Sequence, residues 1–458
     1  MADYRPDPKI LALGPDFYDA VEPARFPSCT PRFLNRRWAQ RVGIEFEDQQ
    51  WAAHFCRFEP LPDSLPGPLA LRYHGHQFRV YNPEIGDGRG FTFGQLRDDR
   101  GRLLDLGTKG SGQTPYSRHA DGRLTLKGGV REVLATEMLE ALGVNTSKSF
   151  ALFETGEALE RGDEPSPTRS SVLTRLSHGH IRIGTFQRLA FFGQVENIRK
   201  LTRYCLANLY AEQPVEDDQD NVLRLFDLVS GATAKLAASY LAAGFVHGVL
   251  NSDNINVTGE SFDYGPWRFT PEWDPGFTAA YFDHYGLYAF GRQPETIHWD
   301  VAQLAGSLSL VAEAPPLSDL LAGWSGRFEK ALVDAMIKRL GIAPGPSDDE
   351  IVAALIKALA SGAQSIDRVF FDWRGGQDPG AEAYPGEEFR SLARLVAGRE
   401  RAQSHPYWSE RAPCSMHIDE VEAIWSAIAE RDDWRPFEEK ITAVRRMGEA
   451  MEQDAPAA

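Results

Sequence analysis

The chain has 458 residues, more than one hydrophobic core usually serves, so we expect two lobes with a site between them. A hydrophobic content of 42% and a charged content of 25% are ordinary for globular proteins and argue against the disordered and membrane classes. The formal net charge of -16 argues against a non-specific nucleic-acid binder, because neutralising phosphates takes a basic surface.

The sequence lacks an apolar run near the roughly 20 residues that a membrane-spanning helix needs. Its first residues, MADYRPDPKILALG, lack the basic and apolar blocks of a signal peptide. We therefore expect a soluble, cytoplasmic protein, monomeric and without a membrane partner.

The N-terminal half predicts a β-rich lobe. Residues 1–70 are rich in Pro, Phe and Trp without clean periodicity, which indicates an extended segment wrapped over a core. From there to about residue 190, short apolar runs such as FTFGQL, LLDLGTKGSG, SVLTRL and IRIGTFQRLAFF alternate with glycines, as is typical of strands and tight turns. One amphipathic helix, residues 128–143, interrupts the strands.

The C-terminal half predicts helices. Residues 222–245 carry apolar side chains at helical spacing and stop around Gly244. Later helices are expected at 300–312, 327–341, 349–361, 387–399 and 418–430. We therefore predict an α+β, protein-kinase-like bilobal fold with a β-rich N-terminal lobe, one key helix and a mainly helical C-terminal lobe. The predicted segments are 1–70, 71–194, 195–385 and a C-terminal helical extension at 386–458.

The segment VHGVLNSDNINV, residues 246–257, is similar to a protein-kinase catalytic loop. Kinases have an Asp that takes the substrate proton and, five residues later, an Asn that holds magnesium. Here Val249 stands in the place of that Asp, and Asp253 lies four residues further on, beside Asn254. Asp253 could serve as the general base, or the SDN triplet could be only a polar turn, because Asp and Asn hydrogen-bond to their own backbone.

The sequence FDYG, residues 262–265, follows this loop and resembles the Asp-Phe-Gly of kinases. Asn254 and Asp263 would then supply two oxygen ligands to a divalent cation that bridges nucleotide phosphates, an arrangement that suits magnesium.

Lys109 ends an apolar strand, where kinases place a lysine that contacts phosphates. Its acidic partner should lie on the following helix, which offers Glu132 and Glu137. The helical angle favours Glu137, which is nearer to the apolar face, although either residue could be a solvated surface charge.

Glycines cluster in EIGDGRG, residues 84–90, and in KGSGQTPYSR, residues 109–118. Such turns let backbone N–H groups approach phosphate oxygens, although each could equally be a hairpin turn. Several arginines follow these turns, which indicates a local anion site in an acidic chain. They are Arg89, Arg118, Arg123, Arg175 and Arg182.

Two His-x-His pairs, His74 with His76 and His178 with His180, have no third or fourth ligand nearby, so we expect structural or phosphate-side roles rather than metal binding. The four cysteines, Cys29, Cys56, Cys205 and Cys414, form no Cys-x-x-Cys pair. This pattern favours reduced, buried thiols over a zinc ribbon or a disulfide framework.

Taken in order, the motifs HGHQF, GDGRG, KGSGQTPYSR, DGR, VRE, HGVLNSDN and FDYGP resemble the selenoprotein O family over about residues 70–305. The resemblance implies a kinase-like protein adenylyltransferase. Such an enzyme binds ATP in a reversed orientation with Mg2+ or Mn2+ and passes AMP to Ser, Thr or Tyr hydroxyls of proteins.

The resemblance also implies roles for individual residues. Asp253 falls on the general base, Asn254 and Asp263 on the metal ligands, and Glu132, rather than Glu137, on the partner of Lys109. The implied nucleotide contacts are Gly86, Gly88, Arg89, Lys109, Asp121, Gly122, Arg175, Arg182 and Asp263.

The chain also departs from the family pattern. It reads DGRLTLKGGVREV where many relatives read DGRAVLRSSIREF, has Asp300 where they have Asn, and has no cysteine after Cys414. The leading hypothesis is a protein adenylyltransferase whose partners are ATP and substrate proteins. The alternatives are a protein kinase, a UMP-transferring enzyme and a catalytically silent pseudokinase scaffold.

Overall fold

The structure, a computed structural model, describes residues 2–162 and 164–454. Its strands are β1 (Tyr18–Ala20), β2 (Thr30–Leu34), β3 (Leu69–Leu71), β4 (Gly75–Gln77), β5 (Val80–Asn82), β6 (Thr92–Arg97), β7 (Leu103–Lys109), β8 (Leu124–Thr125), β9 (Lys148–Leu159), β10 (Thr168–Ser177), β11 (Phe245–Val246) and β12 (Arg268–Phe269).

The helices lie mostly after β10 in the sequence. They are α1 (Arg36–Arg41), α2 (Asp48–Phe55), α3 (Leu126–Ala141), α4 (Ile183–Phe191), α5 (Val195–Leu209), α6 (Asp218–Ala243), α7 (Gln293–Leu308), α8 (Ala314–Ala322), α9 (Trp324–Leu340), α10 (Asp348–Ala360), α11 (Ile366–Asp372), α12 (Glu387–Val396), α13 (Ile418–Arg431) and α14 (Arg435–Gln453). The predicted α+β, protein-kinase-like bilobal architecture is confirmed.

One antiparallel sheet dominates the first lobe. Its strands run in the order β1-β3-β6-β7-β10-β9-β2, and β8 pairs with β10. In the register of β7 against β10, Leu173 lies opposite Lys109 and Arg175 lies opposite Gly107. Because side chains alternate along a strand, Lys109 and Arg175 lie on the same face of the sheet.

The first 70 residues contribute β1, β2 and two short helices, α1 and α2, to this lobe. A second core lies beneath them, where Trp51 and Phe55 of α2 pack against Phe150 of β9 with ring centroids 5.2 Å apart in each pair. The predicted boundaries of the four segments stay predictions.

Cys29 and Cys56 form a disulfide, so the prediction of four reduced thiols is wrong for this pair. Cys29 precedes β2 and Cys56 ends α2, and packing of both elements on the sheet brings their Cα atoms to 6.1 Å, within the range that a disulfide bridges. Cys205 and Cys414 are free and buried, as expected.

The predicted helices are all present, with ends that differ by up to seven residues. Helix α6 begins earlier than predicted because Asp217 caps it by accepting a hydrogen bond from the Asp220 N–H at 3.1 Å, and it ends at Gly244 in the left-handed conformation. Helix α7 begins at Gln293 rather than residue 300.

The segment IRIGTFQRLAFF, which we grouped with the strands, forms α4 instead. Its buried residues Ile183, Phe186 and Leu189 recur every three positions, which is a helical spacing. Every helix among the described residues falls short of the length and apolarity that crossing a membrane demands.

The C-terminal helices pack on α3. Arg445 of α14 donates from Nε to Oε2 of Glu137 at 2.7 Å and from Nη2 to Oε1 at 2.9 Å. Lys127 at the start of α3 pairs with Glu422 of α13 at 2.7 Å. The predicted extension therefore supports α3, the helix that carries Glu132.

We expect Arg445→Ala to lower the free energy of unfolding by about 2 kcal/mol, because it leaves the buried Glu137 carboxylate without its bidentate partner. Chemical denaturation measures the change, with Arg435→Ala as the control because Arg435 is 80% exposed and pairs with Asp433. A change below about 0.5 kcal/mol would show that the pair is not stabilising.

We expect Glu260→Gln to stabilise the protein increasingly as pH rises. Burial raises the pKa of Glu260 to about 7, and Lys148 opposes that shift. The contribution of Glu260 to stability is therefore greatest below the ordinary glutamate pKa and is lost as the pH rises through about 7. A Gln keeps an oxygen that can accept the hydrogen bond from the His178 N–H.

Unfolding curves between pH 5 and 8 should show the variant gaining up to about 3 kcal/mol over the parent at the upper end. Glu59→Gln, at an exposed position, is the control. A pH-independent difference for Glu260→Gln would contradict the assignment.

Candidate active site

A cavity of about 310 Å³ lies between the sheet and the loops that follow α6. Eight of the predicted site residues line it: Gly86, Gly88, Arg89, Lys109, Arg175, Arg182, Asp253 and Asp263. The structure thus brings together residues from five separate segments of the chain.

Lys109 is the centre of a buried ion-pair network. Its Nζ atom lies 2.5 Å from Oε2 of Glu132 and 2.9 Å from Oδ1 of Asp263. Glu132 is fully buried on α3, whereas Glu137 pairs with Arg445. The helical-angle preference for Glu137 as the partner of Lys109 is therefore wrong, and the reason is that α14 covers the side of α3 that carries Glu137.

Asp263 occupies a strained position, with φ at 62°. Burial disfavours its charge, but Lys109, followed by Arg175, holds the pKa of this carboxyl well below its ordinary range. Arg175 Nη1 lies 3.4 Å from Asp263 Oδ1 and 3.4 Å from Glu132 Oε1. Asp263 is therefore an ionised carboxylate held at the cavity wall.

Arg182 precedes α4 and connects three parts of the site. Its Nη1 donates to the Asp253 carbonyl at 3.0 Å, its Nη2 donates to Oδ1 of Asp87 at 3.2 Å, and its guanidinium lies 4.2 Å from the ring centroid of Tyr73. The Nε atoms of Arg182 and Arg175 are buried without a hydrogen-bond partner among the described residues. Both arginines line the cavity, each with one donor that no described residue engages.

The two predicted glycine turns form one wall together. A Cβ on Gly86 would come within 2.5 Å of the Tyr116 ring, and one on Gly88 within 3.0 Å of the Tyr116 carbonyl oxygen. A side chain on Gly90 would meet the Thr108 carbonyl at 2.1 Å. Glycine is required here because the 84–90 turn lies directly on the residues around the end of β7.

Asp253 lies in a single 3-10 turn, Ser252–Asn254, a backbone conformation that is compatible with both alternatives drawn from the sequence. Burial raises the pKa of its carboxyl to about 7, against the lowering effect of Arg182. Its Oδ1 is buried without a hydrogen-bond partner among the described residues, and a Cβ on Gly75 would come within 2.9 Å of it. Asp253 thus lines the cavity with a raised carboxyl pKa.

Asn254 is oriented by the residue that replaces the kinase Asp. Its Nδ2 donates to the Val249 carbonyl at 3.1 Å, which leaves Oδ1 to act as a ligand. Among the described residues there is no cluster of three or more His, Cys, Asp or Glu side chains that could hold a metal. A magnesium site built from one carboxylate, one amide and substrate phosphates needs no such cluster.

Asp121 and Gly122 are not among the cavity-lining residues. Asp121 pairs with Arg161 at 2.8 Å, and Gly122 has a positive φ and packs against the Gly112 backbone. They come one and two residues after Ala120, which does line the cavity.

The His-x-His pairs are held by protein groups. Burial lowers the pKa of His74 to about 4, and its Nδ1 lies 2.8 Å from the Tyr81 hydroxyl. The backbone N–H of His180 donates to Oδ2 of Asp105 at 2.8 Å. His74 and His180 thus make contacts within the protein, and the roles predicted for the four histidines stay predictions.

Several residues of the site carried no sequence prediction. Asp87, inside the GDGRG motif, holds Arg182 and also accepts from the Leu71 N–H at 3.0 Å. Asp300 is buried on α7, and burial, together with neighbouring Asp253, raises its pKa well above the ordinary value. The signals that could have identified them are the GDGRG motif, which contains Asp87, and the departure from the family pattern at Asp300. Tyr73 and Gln77 also line the cavity.

The geometry agrees with comparisons of the sequence. A sequence model of the family described as protein adenylyltransferase SelO matches residues 2–383. The chain belongs to this family. The predicted resemblance is confirmed, and the chain is a nucleotidyltransferase whose substrates are a nucleotide and a protein.

Three relatives, each described as protein nucleotidyltransferase YdiU, show how far the similarity extends. The protein of Gloeobacter violaceus is 43% identical, over 96% of this chain and 95% of its own length. The protein of Synechocystis is 40% identical, over 95% and 96%. The protein of Rhodopseudomonas palustris is 32% identical, over 96% and 92%.

Proposed function

We propose that the protein transfers AMP from ATP to Ser, Thr or Tyr hydroxyls of proteins, with Asp253 as the general base. The observation that carries this proposal is the lining of one cavity, which combines Asp253, with an Oδ1 that has no hydrogen-bond partner among the described residues, and the buried cations Lys109, Arg175 and Arg182. A general base must lie within reach of the hydroxyl proton, and a cationic cavity must neutralise the phosphates.

The cations fit a nucleotide polyphosphate. Five positively charged side chains and three carboxylates line the cavity, so it has an excess of positive charge when all are ionised. The five are Lys109, Arg89, Arg118, Arg175 and Arg182, and the three are Asp87, Asp253 and Asp263. The glycine turn at 84–90 adds backbone that a phosphate can approach closely.

Asn254 and Asp263 would hold Mg2+ or Mn2+ through an amide oxygen and an ionised carboxylate. The ion would supply further positive charge to the phosphate oxygens. Lys109 stays fixed between Glu132 and Asp263, so its ammonium group can contact a phosphate without rearrangement.

A reversed nucleotide would put the α-phosphate beside Asp253. The acceptor hydroxyl gives its proton to the Asp253 carboxylate, its oxygen forms a bond to the α-phosphorus, and the bond to the β,γ-diphosphate breaks to release pyrophosphate. The position of the kinase base is taken by Val249, which supports a different attack geometry from that of a γ-phosphoryl transferase.

Transfer from α-labelled and, separately, γ-labelled ATP to a protein acceptor tests the proposal. Label that reaches the protein only from the α position is expected. Label only from the γ position would make the protein a kinase, and ATP binding without either transfer would make it a silent pseudokinase. A parallel reaction with α-labelled UTP and Mn2+ tests UMP transfer. Cytoplasmic location and a monomeric state stay predictions.

A further inference from the structure

Exposed apolar side chains concentrate beside the candidate active site. Ten large hydrophobic side chains are exposed among the described residues, and seven of them lie in the β4–β5 hairpin, at the end of α4 or in the loop 278–288. The seven are Phe78, Val80, Phe191, Phe192, Tyr281, Phe282 and Tyr285. Because single exposed apolar residues are ordinary but clusters are not, this patch needs a functional explanation.

We call the hairpin and loop part of this patch the aromatic rim: Phe78, Tyr281, Phe282 and Tyr285. The rings of Phe78 and Phe282 are 5.9 Å apart, and those of Tyr281 and Phe282 are 5.1 Å apart. Tyr281 is 82% exposed and Tyr285 is 93% exposed, so neither contributes to the core. Most of the rim's surface therefore faces solvent.

The rim is attached directly to the catalytic turn. The Phe78 N–H donates to Oδ1 of Asn251 at 3.1 Å, and the His76 N–H donates to Oγ of Ser252 at 2.7 Å. Gln77, between them, lines the same cavity as Asp253. The rim thus begins one residue away from the cavity.

The loop that carries the other rim residues is ordered by polar contacts. Asp283 accepts from the N–H groups of Leu287 and Tyr288, each at 2.8 Å. The Tyr288 hydroxyl then donates to Oδ1 of Asn251 at 2.5 Å. A rigid loop that displays aromatic rings can bind a partner with little loss of conformational entropy.

The charges around the rim are of mixed sign. Arg79 pairs with Glu295 at 3.0 Å, and Arg292 lies 3.5 Å from the same carboxylate. The two arginines share one carboxylate, so this cluster carries one excess positive charge, far fewer than the several cations that a nucleic acid or an anionic membrane would need. Apolar contact is the interaction that the rim offers.

We propose that the aromatic rim docks the segment of the substrate protein that carries the acceptor hydroxyl, through apolar or aromatic residues close to the acceptor. The inference rests on the proposed function, because it assumes that the hydroxyl enters the cavity at Asp253. An extended chain advances about 3.3–3.6 Å per residue, so residues within about four positions of the acceptor can lie on the rim. Aromatic side chains are enriched where proteins bind each other.

A peptide array tests the proposal. Each peptide carries one Ser, Thr or Tyr, its flanking positions are varied, and modification is measured with α-labelled ATP. We expect peptides with Phe, Tyr or Leu within four residues of the acceptor to be modified roughly tenfold more efficiently than peptides with Gly, Ser or Asp there.

The double variant Tyr281→Ser/Phe282→Ser should lose this preference and raise the KM for the best peptide roughly tenfold, with the KM for ATP unchanged. Tyr285→Ser should have a smaller effect in the same direction. The matched control is Val215→Ser/Leu310→Ser, which removes two exposed apolar side chains far along the chain from the rim.

Three outcomes would count against the proposal. Peptide modification without a preference for apolar flanks, or a preference that survives in the double variant, overturns the docking site and leaves the proposed function standing. A parent protein that binds ATP but transfers no α-label to any peptide or protein overturns the proposed function, and the docking inference with it.

Discussion

Asp253→Ala should reduce AMP transfer by a factor of roughly 10²–10⁴, the range that a positioned general base contributes. Asp253 is 7% exposed, and its Oδ1 has no hydrogen-bond partner among the described residues, so the loss of this oxygen breaks no contact that holds the fold. Removing it relieves the cost of burying a carboxyl group, and the variant should therefore fold at least as well as the parent.

Asp253→Asn separates base catalysis from shape. An Asn fills nearly the same space beside Gly75 but cannot take the proton, so it should lose as much activity as Ala. Single-turnover transfer with α-labelled ATP measures the loss, and ATP binding measured in parallel should change less than threefold. Activity of the Asn variant within tenfold of the parent would remove Asp253 from the role of base.

The catalytic loop was predictable because its chemistry is local in sequence. Asp253, Asn254 and Asp263 lie within eleven consecutive residues, and Asp253 and Asp263 both line the cavity. A short spacing pattern is enough to bring such residues close together. The order of a β-rich half before a helical half predicted the fold in the same way, from periodicity alone. Here the sequence and the structure agree.

The choice between Glu132 and Glu137 needed information from the other end of the chain. Helix α3 is buried on almost every side, at Glu132 as well as at Glu137, so the position of an apolar face does not show which of the two meets Lys109. Arg445 of α14, more than 300 positions further along the chain, pairs with Glu137, and Lys109 pairs with Glu132. A contact at that separation leaves no local pattern in the sequence.

The other wrong predictions have the same cause, which is contact between residues that lie far apart in the sequence. The disulfide depends on β2 and α2 packing on one sheet, which no Cys spacing reveals. The sequence predicts a strand over α4 because a glycine interrupts its apolar run. Gly184 is needed in this helix, because a Cβ there would meet the His74 carbonyl at 2.0 Å. Close approach between distant backbones, rather than turn formation, explains this glycine.

Lys109→Met should reduce transfer at least a hundredfold, because it removes a fixed cation from the place where phosphate charge develops. It also leaves the buried Glu132 and the partly exposed Asp263 without the ammonium that lies 2.5 Å and 2.9 Å from them. The free energy of unfolding should fall by about 3–5 kcal/mol, the usual cost of removing one partner of a buried ion pair.

These two effects must be separated, because an unfolded variant would be inactive for a trivial reason. Lys109→Met/Glu132→Gln removes one of the uncompensated carboxylates, so it should recover much of the lost stability and none of the activity. Lys127→Met, which breaks the ion pair of a partly exposed lysine with Glu422, should keep activity within about twofold. If the stabilised double variant transferred AMP at more than a tenth of the parental rate, Lys109 would be a structural residue that holds α3 to the sheet rather than a group that contacts the nucleotide.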